Sequence, residues 1–159
     1  MKLDLNLSIN GKPHSLAVAT NTTLAEFLRE DLHLTGCRVA CDGEICGACT
    51  VLIDGRPVAA CSTFAFQADG SLIETIEGLS NGGGDLHPIQ QSFMELNAFQ
   101  CGFCTAGFVM SVKALLASDP CPDDQTILEW LRSNVCRCTG YKSILAAARL
   151  AADRMRGKT

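Results

Sequence analysis

Residues 41–49 read CDGEICGAC, so three cysteines stand in the spacing C-x4-C-x2-C. They are Cys41, Cys46 and Cys49, and Cys61 follows after eleven intervening residues. Plant-type [2Fe–2S] clusters use this arrangement, in which a short loop supplies three thiolates and a later residue supplies the fourth. We expect the two glycines of the loop to let the backbone bend round an inorganic core. The spacing predicts an iron–sulfur centre.

A second group of four cysteines has a different spacing, C-x2-C-x31-C-x-C, formed by Cys101, Cys104, Cys136 and Cys138. Each of its two pairs stands immediately before a predicted helix. Helix N-termini stabilise negative charge and lower thiol pKa values, so two adjacent helix starts favour an anionic centre. The 31-residue gap fits a helix, a loop and another helix, which would bring the pairs together. The sequence therefore predicts a second metal centre.

The same cysteines have two alternative uses, structural zinc binding and disulfide formation. Structural zinc suits four thiolates and is the main alternative for the second quartet, although zinc pairs usually read C-x2–4-C. Disulfides are disfavoured because nothing in the sequence suggests secretion. Cys37 and Cys121 fit neither quartet and are interpreted as free thiols. Because Cys37 lies four residues before Cys41, a stand-in ligand or a redox-sensitive thiol stays open there.

Composition limits the classes of function. The chain has 159 residues, of which 47% are hydrophobic and 19% charged, as in ordinary globular proteins. Its net charge of −4 provides no basic surface for nucleic acid. No apolar run approaches the ~20 residues that span a bilayer, and the start does not resemble a signal peptide. We expect a soluble, cytoplasmic protein with neither a membrane span nor a nucleic-acid partner.

The first half is predicted to consist mainly of short strands. From Leu3 to Ile9, apolar and polar side chains alternate with the two-residue period of a half-buried strand. Asn10-Gly11 predicts a tight turn into a returning strand, and Asp54-Gly55 predicts a second hairpin after the cysteine loop. These short strands indicate a small sheet domain.

A helix and one more strand complete this half. Thr23 and Glu26 form the T-x-x-E pattern of a capping box, which predicts a helix start. A last strand is predicted at Leu72, Ile73 and Ile76. Together these elements predict an α+β domain.

The second half changes to a helical period. Helices are predicted to start near Pro88 and after Gly140, another to start near Asp123, and one to stop before Asp119. A glycine run, Gly82-Gly83-Gly84, is interpreted as a linker. The predicted division is an α+β domain over residues 1–78 and a four-helix bundle over residues 79–159.

Three stretches resemble the iron–sulfur subunit of the molybdenum hydroxylases: residues 41–51 (CDGEICGACTV), 100–105 (QCGFCT) and 136–141 (CRCTGY). This family includes xanthine dehydrogenase, aldehyde oxidoreductases, carbon monoxide dehydrogenase, 4-hydroxybenzoyl-CoA reductase and hydroxylases of N-heterocycles. The resemblance covers almost the whole chain, with the motifs in the family's order.

The resemblance implies a β-grasp, plant-ferredoxin-like domain that holds an outer [2Fe–2S] cluster, followed by a four-helix bundle that holds an inner one. In the family, a large catalytic subunit binds molybdenum and molybdopterin, often in its cytosine dinucleotide form. Electrons pass from it through the inner and outer clusters to FAD on a medium subunit, where one is present. The implied assembly is a heterotrimer or its dimer.

The resemblance also assigns individual residues. The outer ligands would be Cys41, Cys46, Cys49 and Cys61, and the inner ligands would be Cys101, Cys104, Cys136 and Cys138. The glutamine of Q-C-G-F-C hydrogen-bonds the pterin in relatives, which gives Gln100 that role. The residue that matches Cys138 lies beside the pterin amino group, where electrons would enter. A solvated turn residue is the alternative for Gln100 from sequence alone, and its place in the motif disfavours that alternative.

The sequence therefore predicts a non-catalytic, electron-transfer subunit of a molybdenum-containing oxidoreductase. Two alternatives are a free-standing ferredoxin-like shuttle and a zinc-stabilised interaction module. The helical half disfavours a simple ferredoxin, which needs only the first domain. The substrate, the flavin subunit and the final electron acceptor are not predicted from this chain.

Overall fold

The computed structural model describes residues 1–80 and 84–157. In this part of the chain, strands and one short helix come first, and longer helices follow. This order confirms the predicted α+β class. Gly82 and Gly83, which belong to the predicted linker, lie outside the described residues.

The described residues form one mixed sheet whose strand order is β2-β1-β5-β3-β4. β5 is the central strand. It pairs with β1 in parallel, and the other neighbouring pairs are antiparallel. The strands are β1 (Lys2–Ile9), β2 (Lys12–Ala19), β3 (Thr50–Ile53), β4 (Arg56–Ala59) and β5 (Leu72–Glu74).

Both predicted hairpins are confirmed. Asn10 and Gly11 have φ values of 51° and 77°, and Asp54 and Gly55 have φ values of 49° and 78°. Two successive residues with positive φ are the hallmark of the type I′ turn, whose twist matches that of the flanking strands. The second hairpin joins β3 to β4 and so connects two of the predicted metal-binding positions.

The predicted end of the last strand was wrong. β5 stops at Glu74, and Ile76 begins a 3₁₀ turn, Ile76–Gly78. The Asn10 side chain intervenes, because its Oδ1 accepts the Thr75 N–H at 2.9 Å and its Nδ2 donates to Thr75 Oγ1 at 2.9 Å. A side chain thus replaces the next strand partner, and the backbone turns away.

The predicted capping box starts α1 (Leu24–Glu26). Thr23 Oγ1 accepts the Glu26 N–H at 3.2 Å, and the Glu26 carboxylate accepts the Thr23 N–H at 2.8 Å. The helix continues as one wider π-type turn, Phe27–Asp31. Its apolar face closes the core of the first half. That core also contains residues from four strands: Leu5, Leu7, Ile9, Val18, Val51 and Ile73.

Four helices make up the second half of the described chain: α2 (Pro88–Glu95), α3 (Thr105–Ser118), α4 (Asp124–Leu131) and α5 (Lys142–Met155). Side-chain caps confirm two of the predicted starts, those of α2 and α4. His87 Nδ1 accepts the Ile89 N–H at 3.3 Å, and Asp123 Oδ1 accepts the Thr126 N–H at 2.8 Å. The longest buried face belongs to α3, which packs against strand β3 as well as against α2 and α4.

The two halves are in direct contact. Leu52 of β3 belongs to the buried cluster formed by the helices, and Lys113 of α3 forms an ion pair with Glu74 of β5. Gly107 of α3 lies against the carbonyl group of Gly47. This packing fixes the first cysteine loop against the bundle. Over residues 1–80 and 84–157, no helix combines the length and apolarity that crossing a bilayer requires.

Candidate metal centres

The first cysteine loop directs backbone N–H groups at Cys41. The N–H groups of Cys46 and Ile45 donate to its Sγ at 3.3 and 3.4 Å. These two N–H groups, together with that of Gly43, lower the pKa of the Cys41 thiol to about 6. The loop is therefore arranged to hold a thiolate, which is the form that binds metal.

The bend of this loop uses different residues from those expected. Gly47 has a φ of 65°, as predicted for a sharp turn, but Gly43 does not lie in the left-handed region. Instead Asp42 and Glu44 have φ values of 51° and 59°. Asp tolerates this conformation better than most residues do, whereas Glu44 carries backbone strain in an exposed loop.

Cys49 and Cys61 flank the β3–β4 hairpin. Cys49 immediately precedes β3, and Cys61 comes two residues after β4 ends. The antiparallel pairing brings them together, with the Ala60 N–H donating to the Cys49 carbonyl at 3.4 Å. Both are buried, and burial raises the pKa of the Cys49 thiol to about 11. Proton release from Cys49 must therefore accompany metal binding.

All four cysteines of the second quartet line one cavity of about 210 Å³. Cys101 Sγ and Cys138 Sγ are 3.6 Å apart and exposed, whereas Cys136 is buried. The two cysteine pairs therefore lie close together, as the spacing predicted. Burial raises the pKa of the Cys104 thiol to about 12, and the Phe103 N–H lowers that of Cys101.

The prediction that both cysteine pairs stand directly before a helix is only half correct. Cys104 is the N-cap residue of α3, as expected. Cys138 does not directly precede α5, because Thr139, Gly140 and Tyr141 intervene. This short segment supports Cys136 instead: the Thr139 N–H and hydroxyl lie 3.4 and 3.1 Å from its Sγ. Local hydrogen bonds, not the α5 N-terminus, provide the polar surroundings on this side.

The eight cysteines are arranged as four neighbouring pairs: Cys41 with Cys46, Cys49 with Cys61, Cys101 with Cys138, and Cys104 with Cys136. Two thiolates per iron is the arrangement that a four-cysteine [2Fe–2S] cluster requires. Among the described residues, no three His, Cys, Asp or Glu side chains are grouped to hold one metal ion. The donor set and its grouping in pairs fit a binuclear centre.

The two loops are joined by hydrogen bonds that sequence analysis did not identify. The Val135 N–H donates to the Cys46 carbonyl at 2.8 Å, which links the residue before Cys136 to the first loop. Arg38 Nη1 donates to the Gly102 carbonyl at 2.9 Å. Neither partner carries a recognisable sequence signal, since both bonds depend on the packing of the two halves.

Asn134 is the buried polar residue of this contact. Its Nδ2 donates to the Gly47 carbonyl at 2.8 Å, and its Oδ1 accepts hydrogen bonds from Ser111 at 2.7 Å and Ser133 at 2.9 Å. The side chain is 1% exposed. Buried amides of this kind fix one arrangement, because any other leaves polar groups unpaired. Asn134 thus ties α3, the α4–α5 segment and the first loop together.

The remaining candidates occupy distinct positions. Gln100 is exposed beside Cys101, at the edge where Cys101 meets Cys138. Cys121 is exposed and lies against Arg156. Cys37 is buried, its Sγ lies 3.5 Å from the Cys49 carbonyl, and burial raises the pKa of its thiol to about 12. All ten cysteines fall within the described residues, and all are free thiols.

Known proteins match this chain over nearly its whole length. A family model described as "2Fe-2S iron-sulfur cluster binding domain" matches residues 7–75, and one described as "[2Fe-2S] binding domain" matches residues 75–149. The small subunit of nicotine 6-hydroxylase from Paenarthrobacter nicotinovorans is 45% identical over 146 residues, which cover 92% of this chain and 87% of that protein.

Two solved structures share the fold. Quinoline 2-oxidoreductase from Pseudomonas putida 86 contains a chain that is 42% identical, with a TM-score of 0.92 and 99% of both chains covered. Aldehyde oxidoreductase from Desulfovibrio desulfuricans is 39% identical with a TM-score of 0.94, and the match covers 98% of this chain but 17% of that one.

Proposed function

This chain belongs to the iron–sulfur subunits of the molybdenum hydroxylase family, and on that basis we propose which of its residues and partners perform electron transfer. It is the electron-transfer component of an oxidoreductase and binds two [2Fe–2S] clusters. Its relatives are subunits of larger complexes, so its partner is a large subunit.

The outer ligands in this proposal are Cys41, Cys46, Cys49 and Cys61. The supporting observation is that one loop and one hairpin bring these four thiols into two neighbouring pairs. Bound clusters supply one-electron redox chemistry. The backbone N–H groups around Cys41 stabilise thiolate charge and so favour metal binding there.

The inner ligands are Cys101, Cys104, Cys136 and Cys138. The observation that carries this assignment, and the proposed function with it, is the single cavity that all four line. Cys46 and Ala48 of the first loop line the same cavity, so the two proposed ligand sets are adjacent. The Val135 N–H donates a hydrogen bond to the Cys46 carbonyl, and Val135 is covalently joined to Cys136. This gives a short connection between the two proposed ligand sets.

The edge formed by Gln100, Cys101 and Cys138 is the proposed contact with the large subunit. These three residues are exposed in the isolated chain, whereas Cys136 is buried. Gln100 can offer both an amide donor and an acceptor to molybdopterin bound by the partner. Cys138 is the ligand at which electrons from that cofactor enter. The cytosine dinucleotide form of the pterin belongs to the same proposal.

The proposed assembly also contains a medium subunit with FAD, to which electrons leave the outer centre, and it forms a heterotrimer or its dimer. The exposed Cys41 loop, with Ile45 73% exposed, offers a surface for such a partner. A cytoplasmic location is proposed because ten cysteines that form no disulfide suit a reducing compartment.

The division into residues 1–78 and 79–159 remains part of the proposal. It is supported by two buried clusters, one mainly in the sheet and one mainly among the helices. Leu52 crosses this boundary by joining the helical cluster. Because Asn134 and Gly107 also bind the halves together, each half is expected to depend on the other for stability.

Co-purification tests the relay function against the free-shuttle alternative. We expect an affinity-tagged chain, expressed with its neighbouring genes, to elute with a larger protein and with molybdenum in a constant ratio. An identically tagged simple ferredoxin from the same host serves as the control and should elute without molybdenum. If the chain elutes alone with both clusters intact, the shuttle alternative is favoured and the relay proposal fails.

A further inference from the structure

Arg38 connects the two cysteine loops. Its backbone N–H donates to the Ala48 carbonyl at 3.4 Å, within the first loop. Its side chain reaches the second loop, where Nη1 donates to the Gly102 carbonyl at 2.9 Å. Gly102 lies directly after Cys101. One residue therefore has its backbone at one proposed cluster site and its charge at the other.

The guanidinium group is held in a fixed position. Its central carbon lies 5.4 Å from the centre of the Phe103 ring, within the range of a cation–π interaction. The side chain is half-buried, and among residues 1–80 and 84–157 no carboxylate forms a salt bridge with it. The positive charge is thus ordered, partly shielded from water and not neutralised by a neighbouring acid.

Such a charge bears on reduction of a thiolate-bound centre. Adding one electron makes the centre more negative, so a nearby cation stabilises the reduced form more than the oxidised form. At an effective dielectric constant near 20, a unit charge about 10 Å away changes a one-electron equilibrium by roughly tenfold. Because Arg38 bonds to the residue next to Cys101, we expect an effect of this order on the reduction equilibrium of the inner centre.

We propose that Arg38 is a positioning residue for electron transfer, which holds the two cysteine loops against each other and favours reduction of the inner centre. This inference rests on the proposed inner ligand set. The Arg38 side chain contacts Gly102 and Phe103 of the second cysteine loop and touches no proposed ligand. It therefore acts by holding that loop and by the position of its charge. The proposal adds a function for a residue outside both ligand quartets.

Arg29 provides a matched comparison within the same cleft. Arg29 and Arg38 line it together with Thr35, Val39 and Phe103. Arg29 Nη1 donates to the Thr35 carbonyl at 3.0 Å and the Cys37 carbonyl at 2.9 Å, so both its bonds stay within the first half. Removing its charge changes the same cleft without breaking the bridge to the second loop.

The test is a redox titration of the complete complex, followed by electron paramagnetic resonance, on Arg38→Gln, Arg38→Lys and Arg29→Gln. We expect Arg38→Gln to lower the reduction equilibrium constant of the inner centre about tenfold, which is a shift of about 59 mV for one electron. Arg38→Lys keeps the charge and should recover most of this shift. Arg29→Gln should change the inner potential by much less.

Three outcomes would overturn the proposal. They are an unchanged inner potential in Arg38→Gln, equal shifts in Arg38→Gln and Arg38→Lys, or an equal shift in Arg29→Gln. If Arg38→Gln loses the inner signal, Arg38→Lys is compared with the unaltered protein instead. An unchanged inner-centre potential in Arg38→Lys supports the charge effect, and a lowered inner-centre potential contradicts it. Failure of the proposed inner ligand set is distinguishable, because the unaltered protein would then show no inner signal. Failure of the relay function is distinguishable too, because the chain would then elute without molybdenum while both signals remain.

Discussion

Replacing Cys138 by serine is expected to remove about half of the bound iron and to leave the outer centre intact. Cys138 Sγ lies 3.6 Å from Cys101 Sγ at the exposed side of the inner cavity. A serine hydroxyl is a harder and far less acidic ligand than a thiol, so it holds iron weakly at this position. The four proposed outer ligands lie on other elements and should be unaffected.

The measurement is iron and acid-labile sulfide per chain, combined with electron paramagnetic resonance of the reduced protein. Cys121→Ser is the matched control, because Cys121 is exposed and belongs to neither quartet. It should retain all the iron. Two unaltered cluster signals in the Cys138→Ser protein would disprove the inner ligand assignment.

Replacing Gly107 by alanine should destabilise the protein, although alanine is the better helix former. In an ordinary helix the change would stabilise by roughly 0.5–1 kcal/mol. Here a Cβ at residue 107 would lie under 3.0 Å from the carbonyl oxygen of Gly47, which is backbone and cannot rotate away. Overpacking costs about 1–3 kcal/mol, so the steric term wins.

The expected result for Gly107→Ala is a lower urea midpoint for the loss of both far-UV circular dichroism and cluster absorbance. Gly43→Ala is the control within the first loop. The φ of Gly43 is not in the left-handed region, and the atom nearest to an added Cβ is the Cys41 carbonyl oxygen at 3.6 Å. A Gly107→Ala protein as stable as the unaltered one would show that the halves do not meet as tightly as described.

Local patterns predicted the elements well because each depends on neighbouring residues. The Asn10-Gly11 and Asp54-Gly55 turns and the Thr23 capping box are determined within a few residues, and all three are confirmed. The strand end at Ile76 was wrong because Asn10, far away in sequence, bonds to Thr75. Pattern analysis has no access to such a contact.

The same distinction applies to the candidate sites. Cysteine spacing alone divides eight cysteines into the two proposed quartets, because ligand geometry restricts spacing directly. Arg38 and Asn134 went unnoticed, since an isolated arginine or asparagine has no periodicity or motif. Their importance comes from contacts between residues 64 and 87 positions apart, which exist only after both halves have packed.

The relatives carry the names of chemically different substrates. Chains of 45%, 42% and 39% identity come from proteins named for nicotine, quinoline and aldehydes. Comparable similarity across such different names suits a subunit whose role is electron transfer.

The most direct test of the account is the metal content of the anaerobically purified chain. The account predicts a coloured protein with iron and acid-labile sulfide in equal amounts, together with two distinct cluster signals on reduction. A colourless protein that contains zinc, or that takes up no iron after careful reconstitution, would contradict it.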